Sequence, residues 1–344
     1  MMKLHDRKPD INNIYKVFRC EKPSRPTLFE LFLNKPLYEA LAGRELPVGG
    51  KDPAFDNLAL VIDAYAAAGY DYATSHACDI GFEINTRARK NTLSLNDGFV
   101  ITNEATYEDY VWPVPENYDY SRLDKAAEYL PDGMKLMVMG PGGVLENVIS
   151  LTGYDNLCYM LYEKPDLAKA IFDHVGGILL KYYEIAAPYP AVGFIMSNDD
   201  WGFKSQTFLS PEHMREYVLP WHKKIVDAAH ARNLPAVLHS CGNLDEVMDD
   251  VIDYCGFDGK HSYEDAILPV EDAYEKWTGR IAILGGVDVD FVIRRPNVEI
   301  AERCRAMLKR SEDRGGFALG TGNSVPEYIP QEKYLTMIKT ALNY

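Results

Sequence analysis

The sequence predicts a distorted (β/α)8 barrel with an N-terminal extension and a β-hairpin insertion, and three observations lead there. From about residue 54 onward, short apolar runs alternate with helical patterns, which implies parallel strands joined by crossover helices. Each apolar run closes on polar or ionisable residues, the pattern that a shared mouth at the C-terminal strand ends produces. The chain has no Gly-x-Gly-x-x-Gly or phosphate-loop sequence, which disfavours a doubly wound open sheet, the alternative arrangement. Its 344 residues suit one such barrel, and no Pro/Gly/Ser linker divides them. Residues 1–53, rich in Pro, Arg and aromatic side chains, read as a lead-in packed on a barrel formed by residues 54–344.

The elements follow in order. Phe55–Gly69 has apolar positions at helical spacing and ends on glycine, as helices often do. It runs into a strand ending at Asp71-Tyr72-Ala73-Thr74-Ser75-His76. Thr92–Leu95 and Phe99–Thr102 alternate about Asn96-Asp97-Gly98, which predicts a hairpin inserted after the first barrel strand. Six further strands are predicted at Lys135–Met139, Val192–Ser197, Ala236–His239, Asp258–His261, Ile281–Leu284 and Phe317–Leu319. Helical patterns over 155–186, 210–232, 244–254, 267–277, 297–313 and 330–342 separate them. Ser210-Pro211 places a capping hydroxyl before proline at a first helical position. Seven runs leave one strand of eight missing or distorted.

Composition narrows the function classes. With 36 Lys and Arg against 51 Asp and Glu, the net charge of −15 argues against a nucleic-acid or anionic-membrane surface. Hydrophobic residues make up 47 % of the chain, the mix of a soluble globular protein with a large core. No stretch approaches the roughly 18 apolar residues of a membrane span, and the polar N-terminus has no secretory pattern. The expected compartment is the cytoplasm, with the six cysteines reduced or acting as ligands.

Candidate chemistry is read from the strand ends. His239 and Cys241 are two apart in an extended segment, so imidazole and thiolate point the same way and can share one zinc ion; the alternative is a buried histidine and an inert thiol. Asp199 and Asp200 offer carboxylates for acid–base work beside Trp201, an aromatic wall for a substrate, and equally suit helix caps and surface acids. His76 at the first strand end is a further catalytic candidate, or a satisfied core histidine. Asp79, Asp288 and Asn323 are candidates for substrate contact. Asp288 follows Gly285-Gly286, where small residues let backbone approach a ligand, and it suits a helix cap equally well. Glu264 and Asp265 follow the fifth strand and suit a solvated turn.

Together, Asp199-Asp200-Trp201-Gly202-Phe203, His239-Ser240-Cys241-Gly242, Gly285-Gly286-Val287-Asp288 and Gly320-Thr321-Gly322-Asn323 with Val325-Pro326 resemble the uroporphyrinogen decarboxylase superfamily in motif and order. The resemblance runs from about residue 55 to the C-terminus and implies a distorted (β/α)8 barrel. Its decarboxylases use an arginine-rich N-terminal segment and an aspartate near the first strand. Here Asp79 stands near the aspartate, but Arg25-Pro26-Thr27 offers one arginine, poorly matched to a polycarboxylate. Its methyltransferases pass methyl groups to or from a corrinoid and carry zinc on His-x-Cys and a later cysteine. His239 and Cys241 match the first two positions, whereas Thr321 stands where the later cysteine belongs. The zinc site of cobalamin-independent methionine synthase, which this arrangement also resembles, has a glutamate at the next strand end, where this chain has Glu264. The ligand set so implied is His239, Cys241 and Glu264, with Glu83 or Asp200 as substitutes. The resemblance favours a zinc-dependent methyltransferase, with an oxygen-methylated donor such as a methoxylated aromatic preferred over a thiol. No base-off corrinoid signature occurs in the chain, so the corrinoid is expected on a partner protein; a homodimer is also expected. A metal-free decarboxylase of a polycarboxylate and a non-catalytic small-molecule-binding barrel are the competing readings.

Overall fold

The computed structural model describes residues 4–84 and 95–344. All seven strands form: β1 Tyr72–His76, β2 Lys135–Met139, β3 Val192–Asn198, β4 Ala236–His239, β5 Gly259–His261, β6 Ala282–Leu284 and β7 Phe317–Ala318. They pair in parallel in sequence order, β1-β2-β3-β4-β5-β6-β7, as a curled sheet with helices packed outside. Strand interiors such as Leu136–Val138, Phe194–Met196 and Val237–Leu238 are buried, which explains their continuous apolar runs.

The eighth position is filled from the lead-in. Leu28 makes a single parallel bridge to Leu319 just past β7, with Phe29 N–H on the Leu319 carbonyl and Leu319 N–H on the Thr27 carbonyl. On the other side the Tyr72 hydroxyl of β1 lies 2.7 Å from the Glu30 amide and 2.8 Å from its carbonyl. One bridge leaves no periodic run to read, so this stave is invisible in the hydrophobic pattern.

The helices used below are α1 Pro53–Ala68, α2 Val144–Thr152, α3 Pro165–Ala186, α4 Leu219–His230, α5 Val270–Trp277 and α6 Val289–Arg294. Asp52 caps α1 through the Phe55 amide, and Gly69 ends it at φ +94°, a conformation glycine adopts without strain.

Several elements differ from the reading above. The pattern over 155–186 is two helices, Tyr154–Glu163 and α3, because Pro165 cannot continue a helix from the preceding turn. The pattern over 210–232 widens to π geometry at Met214–Val218 ahead of Pro220, which lacks an N–H to donate back. Residues 244–254 form two short turns, Asp245–Val247 and Asp250–Cys255. Of the expected hairpin, 92–94 lies outside the described residues. Phe99–Thr102 is not strand, since the Val100 and Ile101 amides both donate to the Leu151 carbonyl at the end of α2. Among the described residues, no helix is long and apolar enough to cross a membrane.

Candidate metal centre at the C-terminal strand ends

Three consecutive strands end level with one another, Asn198 beside His239 and His239 beside His261. Register partners in parallel strands point to the same face. The rings of His239 and His261 therefore meet inside the curl, with Nδ1 to Nδ1 at 2.8 Å. The Nε2 of His239 faces the other way and lies 3.7 Å from Cys241 Sγ and 3.7 Å from Asp200 Oδ1. Ligand atoms of Asp200, His239 and Cys241 all lie within 4.8 Å of one another. The Cys241 amide holds Asp200 Oδ1 at 2.8 Å, so the loop after β4 orients the carboxylate belonging to the loop after β3.

The donor set, one imidazole nitrogen, one sulfur and one carboxylate oxygen, fits zinc and leaves a fourth place open. Burial keeps the His239 imidazole neutral by driving its proton affinity down, the form a ligand needs. The Cys241 thiol is pushed up to about 12, first by burial and then by Asp200, so a cation is needed there to hold it as thiolate. Two donors stand ready for that sulfur: Asn323 Nδ2 at 3.2 Å and the Ser262 hydroxyl at 3.4 Å.

The other expected residues are placed differently. Glu264 is outside the cluster. The chain leaves β5 at Ser262, which takes φ +85°, and Glu264 then lines a cavity of about 140 Å3 with Lys260, Tyr263 and Trp277. Asp200, named among the substitutes, stands in its place; the exposed Glu83 is not in the cluster. Asp199 is wholly buried and turned away. Its oxygens accept the Leu145 and Glu146 amides at 2.9 Å each, and His222 Nε2 lies 2.8 Å away, so it anchors the start of α2, which follows the neighbouring strand β2. Trp201 is wholly buried with its ring edge-on to His222 and offers no wall to a ligand. Asp288 caps α6 through the Phe291 amide and also accepts the Asp265 amide at 2.8 Å. His76 is exposed at the end of β1, and Asp79 is exposed and paired with Arg122 at 2.6 Å. Asn323 alone of the expected substrate contacts reaches the thiol.

Thr321 does not face the cluster. Its hydroxyl lies 2.5 Å from Glu30 Oε1, and its amide donates to Glu30 Oε2 at 3.2 Å. Glu30 is wholly buried, and that burial raises its carboxyl to about 8. A carboxyl whose folded pKa exceeds its unfolded value of 4.5 binds the proton more tightly in the native state. Its contribution to stability is therefore fully present below about 4.5 and is lost as pH rises through about 8. Glu30→Gln mimics the protonated acid and is expected to flatten that part of the stability profile, leaving the variant more stable than the parent above about pH 8. Urea denaturation across pH 4–9 checks this; an unchanged slope counts against it.

Three groups that the structure places near the cluster have no role assigned from the sequence. Glu146, in the first turn of α2, is raised by burial and by the nearby Asp199 and Asp200. Lys260, one residue from His261 and so on the opposite face of β5, is buried and pushed down to about 8. His261 is the third, and its signal lay in the sequence as a second strand-terminal histidine.

The sequence profile of the uroporphyrinogen decarboxylase (URO-D) family matches residues 126–344, which hold the whole cluster. The chain belongs to the uroporphyrinogen decarboxylase family. Relatives within it have two different activities. A methylated-thiol–coenzyme M methyltransferase of Methanosarcina mazei is 24 % identical over 177 residues, 51 % of this chain and 46 % of that protein. A uroporphyrinogen decarboxylase of Citrifermentans bemidjiense is 23 % identical over 184 residues, 52 % of this chain and 50 % of that one. The chain thus matches about half the length of these curated relatives. Among solved structures, a methyltransferase from Methanosarcina mazei superposes with a TM-score of 0.75 at 17 % identity, covering 97 % of this chain and 98 % of that one. A B12-independent methionine synthase from Shewanella reaches 0.57 at 15 % identity, covering 92 % and 96 %. These likenesses establish a URO-D-type barrel.

Proposed function

We propose that this URO-D family protein is a zinc-dependent methyltransferase that moves a methyl group between a small heteroatom-methylated donor and a corrinoid carried by a partner protein. The observation carrying this reading is the convergence of His239, Cys241 and Asp200 at the strand ends of the barrel. Zinc bound there would supply Lewis acidity to the heteroatom bearing the methyl group, making it a better leaving group. The chain's own residues do the remaining work. Asp200 gives a carboxylate oxygen held by the Cys241 amide, and Asn323 and Ser262 temper the sulfur by hydrogen bonding. Two of the three donors are nitrogen and oxygen, a harder set than one with two thiolates, which favours an ether oxygen such as that of a methoxylated aromatic over a thioether. The partner would dock over the mouth where these side chains end.

The test is direct. Protein purified without chelators is expected to hold one zinc per chain. Mixed with a methoxyarene and a Co(I) corrinoid carrier, it should release the phenol while the cobalt spectrum reports methylation. No methylation with any ether or thiol would sink the proposal.

Decarboxylation of a polycarboxylate is the second reading, favoured by the match to the Citrifermentans decarboxylase and by Asp79 at the mouth. Against it, Arg25 is committed elsewhere: it pairs with the buried Asp71 at 2.6 Å, at the N-terminal end of β1 and away from the mouth. Turnover of a porphyrinogen by zinc-stripped protein would favour this second reading.

A further inference from the structure

We infer that His261 is a positioning residue: it sets the tautomer of His239 and so aims the Nε2 lone pair of that ring at Cys241 and Asp200. The inference deepens the zinc reading above and rests on it for its purpose.

One group in this network cannot change role. The Thr321 carbonyl only accepts, and His261 Nε2 lies 3.2 Å from it, so that nitrogen carries the proton. A neutral imidazole has one N–H, and the wholly buried His261 ring, packed against Phe29 at 5.1 Å between centroids, is neutral. Its Nδ1 is therefore a lone pair. His239 Nδ1 stands 2.8 Å away, and two lone pairs at that distance repel, so His239 carries its proton on Nδ1. The remaining nitrogen, Nε2, is bare. It is the one 3.7 Å from both Cys241 Sγ and Asp200 Oδ1, a spacing that two ligands of one ion adopt. Metal-bound histidines are commonly oriented by a partner on their other nitrogen; here that partner is itself oriented by a backbone carbonyl.

The surroundings are built around this carbonyl. The Gly286 amide donates to it at 2.9 Å, and the Thr321 amide and hydroxyl are anchored on Glu30. Gly285, at φ +66°, leaves the space: a Cβ there would stand 2.3 Å from the Thr321 oxygen and 2.9 Å from the His261 ring. The glycine pair thus makes room for His261 and Thr321. The residue in the position of the family's later cysteine helps to orient a ligand.

Long-range 15N NMR of the metal-free full chain reads the tautomers directly. The expected result is a proton on Nδ1 of His239 and on Nε2 of His261, with the two rings assigned by single substitutions. A proton on Nε2 of His239 would overturn the inference. His261→Ala is expected to leave His239 in a tautomeric mixture and to weaken zinc binding by about 10- to 100-fold in competition with a chromophoric chelator. His261→Asn, whose Oδ1 can accept from His239 Nδ1, should recover most of that loss. Zinc affinity equal to the parent's in a folded alanine variant would overturn the inference. Should the alanine variant fail to fold, the parent's tautomers and the asparagine variant still decide. If the parent shows these tautomers but binds no zinc, the metal reading fails while the pairing of the two rings stands.

Discussion

Cys241→Ser is expected to abolish stoichiometric zinc and, with it, methyl transfer. Of the three donors at the strand ends, the thiolate binds zinc most strongly, and serine neither ionises at neutral pH nor matches its softness. Losing a partner outside the ligand shell typically costs about 10- to 100-fold in affinity, so loss of a ligand should exceed the upper figure. Removing the Lewis acid forfeits several kcal/mol of stabilisation, and at about 1.4 kcal/mol per decade the rate should fall by roughly a thousandfold or more. Elemental analysis and the cobalt-spectrum assay check both halves. A variant that kept zinc and turnover would remove the basis of the proposed function. Glu264→Gln is the informative control: Glu264 lies outside the Asp200–His239–Cys241 cluster and should leave zinc content unchanged.

Asp199→Ala carries the second large expectation, and it concerns stability. The carboxylate is wholly buried and partnered by two backbone amides at the start of α2 and by His222. Truncation orphans all of these at once, and each buried donor left unpaired costs about 1–3 kcal/mol. A net loss of about 3–5 kcal/mol is expected, read as a lower urea midpoint. Asp199→Asn, which keeps one acceptor oxygen, should lose less. The site is closely fitted: a Cβ on Gly143 would stand 2.0 Å from the Asp199 side chain. A change below about 1 kcal/mol for the alanine variant would contradict this structural role.

Adjacent residues show how far sequence reading reaches at such a site. Asp199 and Asp200 are equivalent on paper, two acids closing an apolar run. In the structure one is a buried anchor and the other joins His239 and Cys241, because the loop after β3 turns their side chains apart. Asp288 likewise presents two roles in sequence, and the Phe291 amide makes it a cap. Glu264 follows the right strand, but the backbone leaves that strand at Ser262 and carries it to another cavity.

The amino-acid sequence by itself determined the alternation of strands and helices, the location of the seven strands, and the placing of His239 and Cys241 side by side at a strand end. These are local properties: an apolar run, a period, or a two-residue spacing in an extended segment. Only the tertiary structure decided which carboxylate completes the cluster, that Leu28 fills the eighth stave, and that His261 lies ring to ring with His239. Each of those depends on the register between strands or on the direction in which a loop leaves a strand. Such relations join residues far apart in the chain and leave no periodic trace in it.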